Sequence, residues 1–324
     1  MIPLLALLFV FTLLGTVWLA RGNHPLAARA IPDGRSLHEL PTPSGAGLVV
    51  VLALLAADLF VGIFPHANFT VALLLLAAIS WADDRRPISP ALRLLVHGGA
   101  AVLLLAAQLN PAFGWLALTI TFLLVLWSIN LFNFMDGMDG FAGGMAVIGF
   151  GALGWIARAA PTPAPSLTLA CFAVSAAFAG FLVWNFPPAR IFLGDVGSAP
   201  LGFLAAALSL WGVGAHAFDF AVPLLIFAPF WVDASLTLGR RLLRGERVWE
   251  AHRTHAYQRL ARSGWGHRRT TLAEYALMGL CAVGAGAYAR AEAGLRSGIL
   301  AAAALLFVAL VLIVGRLTRK KSDA

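Results

Sequence analysis

Long apolar stretches separated by short polar gaps run through the whole chain. Eleven of them approach the roughly 20 mainly apolar residues that a helix needs to cross a bilayer. They cover 1–20, 46–64, 67–82, 91–109, 113–131, 141–158, 166–184, 199–215, 218–238, 271–289 and 297–315, the third being short and the eighth weakly bounded. Their length predicts helices, because strands of a membrane barrel would be about ten residues of alternating polarity. A helix also satisfies its own backbone groups inside lipid, where no water can do so. The pattern predicts an all-α, polytopic integral membrane protein with about 11 transmembrane helices, forming one domain over 1–324.

Charge then orients the spans. Twenty of the 23 Lys/Arg fall on one side. Arg21, Arg29, Arg35, Arg85, Arg86, Arg190 and the Arg-rich stretch 240–269 follow odd-numbered spans, Arg93 opens span four on that side, and Arg316, Arg319, Lys320 and Lys321 end the chain. The other gaps hold only Arg158, Arg290 and Arg296. The positive-inside rule places the N-terminus outside and the C-terminus in the cytoplasm, with cytoplasmic loops at about 21–45, 83–90, 130–140, 185–198 and 239–270. The net charge of +8 therefore reads as a topology signal with the lipid bilayer as partner, and no nucleic acid is implied. A composition of 60% hydrophobic and 12% charged residues fits no water-soluble domain, which has about 25% charged. Cys171 and Cys281 lie inside spans and read as core residues without a disulfide. The first span lacks a preceding basic region and reads as retained rather than as a cleaved signal.

Five of the fifteen acids, Asp83, Asp84, Asp136, Asp139 and Asp195, lie in gaps on the positive side. Carboxylates beside hydrocarbon are costly and commonly mark a site. Asp83-Asp84-Arg85-Arg86 ends span three. Carboxylates can hold Mg²⁺ and arginines can grip phosphate, although alone such a run also reads as a solvated helix end. Asn130, Asn133, Asp136 and Asp139 recur at spacing three, which stacks polar oxygens along one helical stripe, with Gly137 and Gly140 suited to a helix end. Asn185 precedes Pro187-Pro188, and Phe192-Leu193-Gly194-Asp195-Val196-Gly197-Ser198 forms a tight turn before a helix whose positive end can face phosphate. His252-Arg253-Thr254-His255 can bind a diphosphate but lacks the further ligands of a zinc site. Asp58 reads as a buried hydrogen-bonded acid, His97 as a satisfied core histidine, and His24, His66, His216 and His267 as boundary residues. Asp233 ends span nine on the inner side and is left out of the candidate site, and Arg244-Gly245-Glu246 reads as a turn.

These motifs, in this order on an eleven-span chain, resemble the polyprenyl-phosphate N-acetylhexosamine-1-phosphate transferases. That family includes the peptidoglycan enzyme MraY and the WecA-type O-antigen initiators. The likeness runs from about Asp33 to Gln258 and includes Asp33-Gly34-Arg35-Ser36-Leu37-His38 and Pro41-Thr42-Pro43-Ser44-Gly45. Ser44 stands where the family usually has a basic residue. The His-Arg-x-His-Ala-Tyr-Gln motif is more similar to O-antigen initiators than to MraY, whose histidines are consecutive.

The resemblance implies transfer of an N-acetylhexosamine-1-phosphate from a UDP-N-acetyl sugar to undecaprenyl phosphate, with release of UMP, at a cytoplasm-facing site of the bacterial inner membrane. It implies Mg²⁺, with Mn²⁺ as an alternative, held by Asp195 and Asn130. Asp83, Asp84, Asp136, His252 and His255 are the implied catalytic residues. Asn133, Gly137, Asp139, Asn185, Phe192 and Arg253 are implied to contact the donor substrate. A phosphate monoester loses its second proton near pH 6, so a general base at Asp83 or Asp84 matters less than orientation. A covalent step at Asp136 stays open, as do a homodimer and the identity of the sugar. The alternatives are a peptidoglycan-precursor transferase and a transporter. A transporter would favour paired repeats and broken helices at the membrane midplane, which this sequence does not display.

Overall fold

The structure, a computed structural model, describes all residues except 22, 23, 25, 33–36, 38, 39, 109–113, 248–251 and 320–324. Most of the Asp33–His38 motif and the basic pair Lys320 and Lys321 therefore lie outside the described residues. The helices are α1 (Ile2–Ala20), α2 (Gly47–Val61), α3 (Ala67–Asp83), α4 (Pro90–Gln108), α5 (Trp115–Phe134), α6 (Phe141–Arg158), α7 (Pro165–Asn185), α8 (Asp195–Gly214), α9 (Ala221–Ile226), α10 (Ala228–Leu243), α11 (Ala256–Leu260), α12 (Gly266–Arg290) and α13 (Ala293–Arg319). A π-helical turn over Ala261–Trp265 joins α11 to α12.

The fold is all-α and multi-pass, and every predicted span contains helix. Seven helical segments are long and apolar enough to cross a membrane, and α2, α3 and α4 are shorter apolar helices. The ninth span is broken into α9 and α10 at Phe227. Pro229, at the start of α10, has no N–H with which to continue the helical ladder.

Other details differ from the sequence pattern. Helix α5 runs on to Phe134 and then stops, so Asp136 and Asp139 lie in the link after it and do not share one helical stripe with Asn130 and Asn133. The predicted loop 21–45 contains a short antiparallel pair, β1 (Ala28–Ala30) with β2 (Thr42–Ser44). Helices α8 and α12 begin several residues before their apolar runs, at Asp195 and Gly266. Arg244-Gly245-Glu246 does form a turn, with Gly245 at φ +70°.

The core is built around α8, which packs on α2, α3 and α5, while α7 packs on α1 and α6. Between membrane helices, association depends on close packing, because lipid tails are as apolar as the side chains. Gly47, at the start of α2, lies against the backbone of Gly197 in α8, and a Cβ on either has no space there. In contrast, α13 buries none of its apolar window and exposes Leu305, Val308 and Leu312, which suits a helix bathed in lipid. Asp58 is hydrogen-bonded as the sequence suggests, accepting from Phe64 N and Thr70 Oγ1 in the α2–α3 turn. Cys171 and Cys281 are buried and free.

The Gly47–Gly197 contact generates a prediction. Gly47→Val should overpack the α2–α8 junction and destabilise the protein by about 1–3 kcal/mol. Gly279→Ala, where a Cβ meets nothing within 4 Å, should be neutral or mildly stabilising. Thermal unfolding in detergent reads both, and a Gly47→Val protein melting with the parent would contradict this packing.

Candidate active site

The junction between α3 and α8 organises the site. Asp84, which ends α3, accepts the first two N–H groups of α8, from Asp195 N to Oδ1 and from Val196 N to Oδ2, each at 3.1 Å. A carboxylate at a helix N-terminus meets both free donors and the positive end of the dipole. Gly194 makes the approach workable. It sits at φ +76°, and a Cβ there would be 2.8 Å from Asp84 Oδ2. The β2 segment completes the floor. Phe192 N donates to Pro43 O at 2.8 Å, Gly45 N to Phe192 O at 3.1 Å, and Gly47 N to Leu193 O at 2.9 Å. This pairing leaves Phe192 half-buried beside Ser44.

The other acids gather around this junction. Arg93 reaches Asp83 Oδ2 at 2.8 Å and Asp195 Oδ2 at 3.7 Å. The second oxygen of Asp83 accepts from Ile88 N at 2.6 Å. Asn133, in the last turn of α5, lies beside Asp195. Asp136 follows in the α5–α6 link and feels the charges of both Asp195 and Asp84.

Two of these four carboxylates, Asp83 and Asp195, share the Arg93 guanidinium, and the electrostatics record the crowding. Burial, and then the charge of Asp195, push Asp84 up to about 7 despite its two backbone hydrogen bonds. Burial, and then the charges of Asp195 and Asp84, push Asp136 well above the usual carboxylate range. Arg93 Nε is buried without a hydrogen-bond partner among the described residues. Arg93 reads from sequence as part of the topology signal, and no local pattern marks it as the cation of this cluster.

Asn130 lies one turn deeper. Its Nδ2 donates to Leu126 O at 2.7 Å, and its side chain lies beside His97. His97, read from sequence as a satisfied core histidine, has a buried Nδ1 with no hydrogen-bond partner among the described residues.

Asp139 and Asn185 fasten the neighbouring turns. Asp139 Oδ2 accepts from Ala189 N at 3.0 Å, and Oδ1 lies 2.9 Å from His267 Nδ1. Asn185 accepts from Gly140 N at 3.0 Å and donates to Ile191 O at 2.9 Å. Helix α12 grips the same turn, with Thr271 Oγ1 on Asp139 O and Tyr275 OH on Gly140 O. His267, read from sequence as a boundary residue, belongs to this assembly.

The fourth motif docks onto the second. Asp233 accepts from Ala256 N at 2.8 Å and Tyr257 N at 3.1 Å, so a residue of α10 caps α11. Tyr257 OH donates to Phe134 O at 3.2 Å and fills the space beside Gly137 that a Cβ would need. His255 is buried and its ring stacks on those of Tyr257 and His252. Burial, and then the charges of His255 and Arg241, lower His252 to about 4, so its imidazole is neutral at pH 7. Arg253 is half-buried in the same segment.

No three His, Cys, Asp or Glu among the described residues converge closely enough to hold a metal unaided. Mg²⁺ does not require that, since it ordinarily takes one or two carboxylates together with substrate phosphates and water. Asp195 keeps a third of its side chain accessible, beside the half-buried Asp136. Hard oxygen donors with unrelieved mutual repulsion fit such a cation.

Comparison with known proteins bears on this cluster directly. Residues 66–213 match the model of glycosyl transferase family 4. The chain is 30% identical over 262 residues to a probable undecaprenyl-phosphate N-acetylglucosaminyl 1-phosphate transferase of Bacillus subtilis, covering 75% of this chain and 72% of that protein. It is 29% identical over 259 residues to the undecaprenyl-phosphate alpha-N-acetylglucosaminyl 1-phosphate transferase of Yersinia pestis, covering 74% and 70%. It is 28% identical over 265 residues to a phospho-N-acetylmuramoyl-pentapeptide-transferase of Halalkalibacterium halodurans, covering 71% and 78%. The segment matched by the family model carries every acid that meets at the start of α8. On that segment, and on a relative covered over most of its length, the chain belongs to glycosyl transferase family 4.

Proposed function

We propose that the protein transfers an N-acetylhexosamine-1-phosphate from a UDP-sugar to undecaprenyl phosphate, releasing UMP, and so initiates O-antigen or a related cell-envelope polysaccharide. The observation that carries this reading is the convergence of Asp83, Asp84, Asp136, Asp195 and Arg93 at the start of α8, in a chain whose relatives are named for this transfer. The basic residues at the same helix ends support an inner-membrane protein with eleven crossings, the N-terminus outside and the site facing the cytoplasm. The His252-Arg253-Thr254-His255 pattern favours the O-antigen type over the peptidoglycan type.

An oxygen of the lipid phosphate attacks the β-phosphorus of the donor. The bond from that phosphorus to the UMP oxygen breaks, UMP leaves, and a lipid diphosphate remains. The acceptor is mostly dianionic at pH 7, so placement and charge neutralisation are the main requirements. Arg93 supplies a fixed positive charge, and 35% of its side chain stays exposed to meet a phosphate oxygen. Asp83 holds Arg93, and Asp84 holds the start of α8. Asp195 and Asp136 would hold Mg²⁺ against the diphosphate, where the ion neutralises developing charge. His252, being neutral, offers hydrogen bonds, and Arg253 adds positive charge from the same segment. Asp139 and Asn185 act as positioning residues, since their side-chain polar atoms are engaged within the protein.

Two outcomes test this proposal. Asp195→Asn should lower UMP release from UDP-GlcNAc and undecaprenyl phosphate by about a hundredfold or more, with folding checked by melting. Activity within a fewfold of the parent would contradict its role. The second concerns pH. Asp84 titrates at about 7 in the folded protein against 3.8 ordinarily, so its contribution to stability is present below about pH 4 and lost as pH rises through about 7. Asp136 shifts in the same direction. Melting temperature in EDTA should therefore fall between about pH 4 and 7, with Mg²⁺ restoring it at pH 8. Asp84→Asn should flatten the slope, and a flat profile in the parent protein would contradict the charge crowding.

A further inference from the structure

A second charged feature lies beyond α11. Tyr257 points to the end of α5, whereas Thr254 and Arg259 line a cavity of about 550 Å³ between α10, α11 and the last turns of α13. Arg240, Arg241 and Arg244 line it from α10 and its end, Arg259 from α11 and Arg316 from α13. The one acid among the described lining residues, Glu246, is 2.8 Å from Arg241 and 4.0 Å from Arg244. Among the described residues, five guanidinium groups thus line the cavity beside one carboxylate. The opposite wall is apolar, formed by Val311 and the exposed Leu312 of α13.

Each part of this arrangement selects its ligand. Guanidinium groups bind phosphate oxygens in bidentate fashion, and several together select an anion. The cavity sits where the apolar α13 and the amphipathic α10 both end in basic residues, the depth at which phospholipid headgroups lie. The apolar wall continues along α13, whose surface suits acyl chains. We propose that this cavity binds the phosphodiester headgroup of an anionic membrane phospholipid, with its chains laid along α13. The bound lipid would tie α13, which is otherwise little buried, to α10 and α11. Arg259 already bonds Thr318 of α13 at this point. Because α11 is shared with the candidate active site, lipid occupancy would also steady the His252–Tyr257 segment.

The test uses the full chain in neutral detergent and reads binding and melting, so it stands apart from transferase activity. Phosphatidylglycerol is titrated in, with retained lipid followed by native mass spectrometry. One lipid should be retained per chain and the melting temperature should rise. The Arg240→Gln/Arg316→Gln variant should bind it about tenfold more weakly or worse, the loss expected on removing a charged hydrogen bond. Should that variant fail to fold, Arg244→Gln, whose side chain is largely exposed, should show the same direction. Three results would overturn the proposal: binding unchanged in these variants, phosphatidylcholine binding as well as phosphatidylglycerol, or soluble glycerol phosphate giving the same stabilisation as the lipid.

Discussion

The structure depends on one partly buried contact, the Asp84 carboxylate across the first two N–H groups of α8. Taking a carboxylate out of water is costly unless donors replace the water. Here the two N–H groups and the helix dipole offset only part of that cost, because Asp195 lies alongside and Asp136 lies within its field. The contact joins residues 111 positions apart and fixes α3 to α8. Everything else at the site is placed relative to it. The glycine-to-glycine approach of α2 brings β2 over the same junction, and Arg93 of α4 bridges the acids on its far side. The result is a compact excess of negative charge that a divalent ion and cationic side chains can turn into a phosphate site.

The rest of the site is held by side chains bonding to backbone, as suits connecting turns with so little sheet to order them. Asp139, Asn185 and Asp233 each secure a chain segment rather than standing open to a ligand. Polar residues at membrane helix ends can therefore serve catalysis indirectly, by fixing the turns that carry the reacting groups. The stacked His252, His255 and Tyr257 extend this order to the last motif and bring it against the end of α5.

Much of this was legible in the sequence, and the remainder failed for physical reasons. Apolar run length revealed a helix in every predicted span, and the spacing of acids marked the residues that meet. The starts of α8 and α12 were hidden because their first turns are polar, and polar residues before an apolar run look like loop. The β1–β2 pair was too short to show alternation and contains Pro43. Arg93 was indistinguishable from a topology charge, since its role comes from Asp83 and Asp195 approaching in space. His267 gave no signal because its partner, Asp139, is distant in sequence. The side chains of Asp139 and Asn185 read equally well as ligand contacts or as fasteners, and only their hydrogen-bond partners distinguish the two.

The central claim is that the acids gathered by Asp84 form a divalent-cation and diphosphate site. Pulsed electron paramagnetic resonance of Mn²⁺ bound to the purified protein with UDP-GlcNAc tests it most directly, through the coupling of the ion to donor ³¹P. The account predicts a phosphorus coupling that is lost in Asp195→Asn and kept in Asp58→Asn, whose acid lies in the last turn of α2. An identical signal in Asp195→Asn would contradict it.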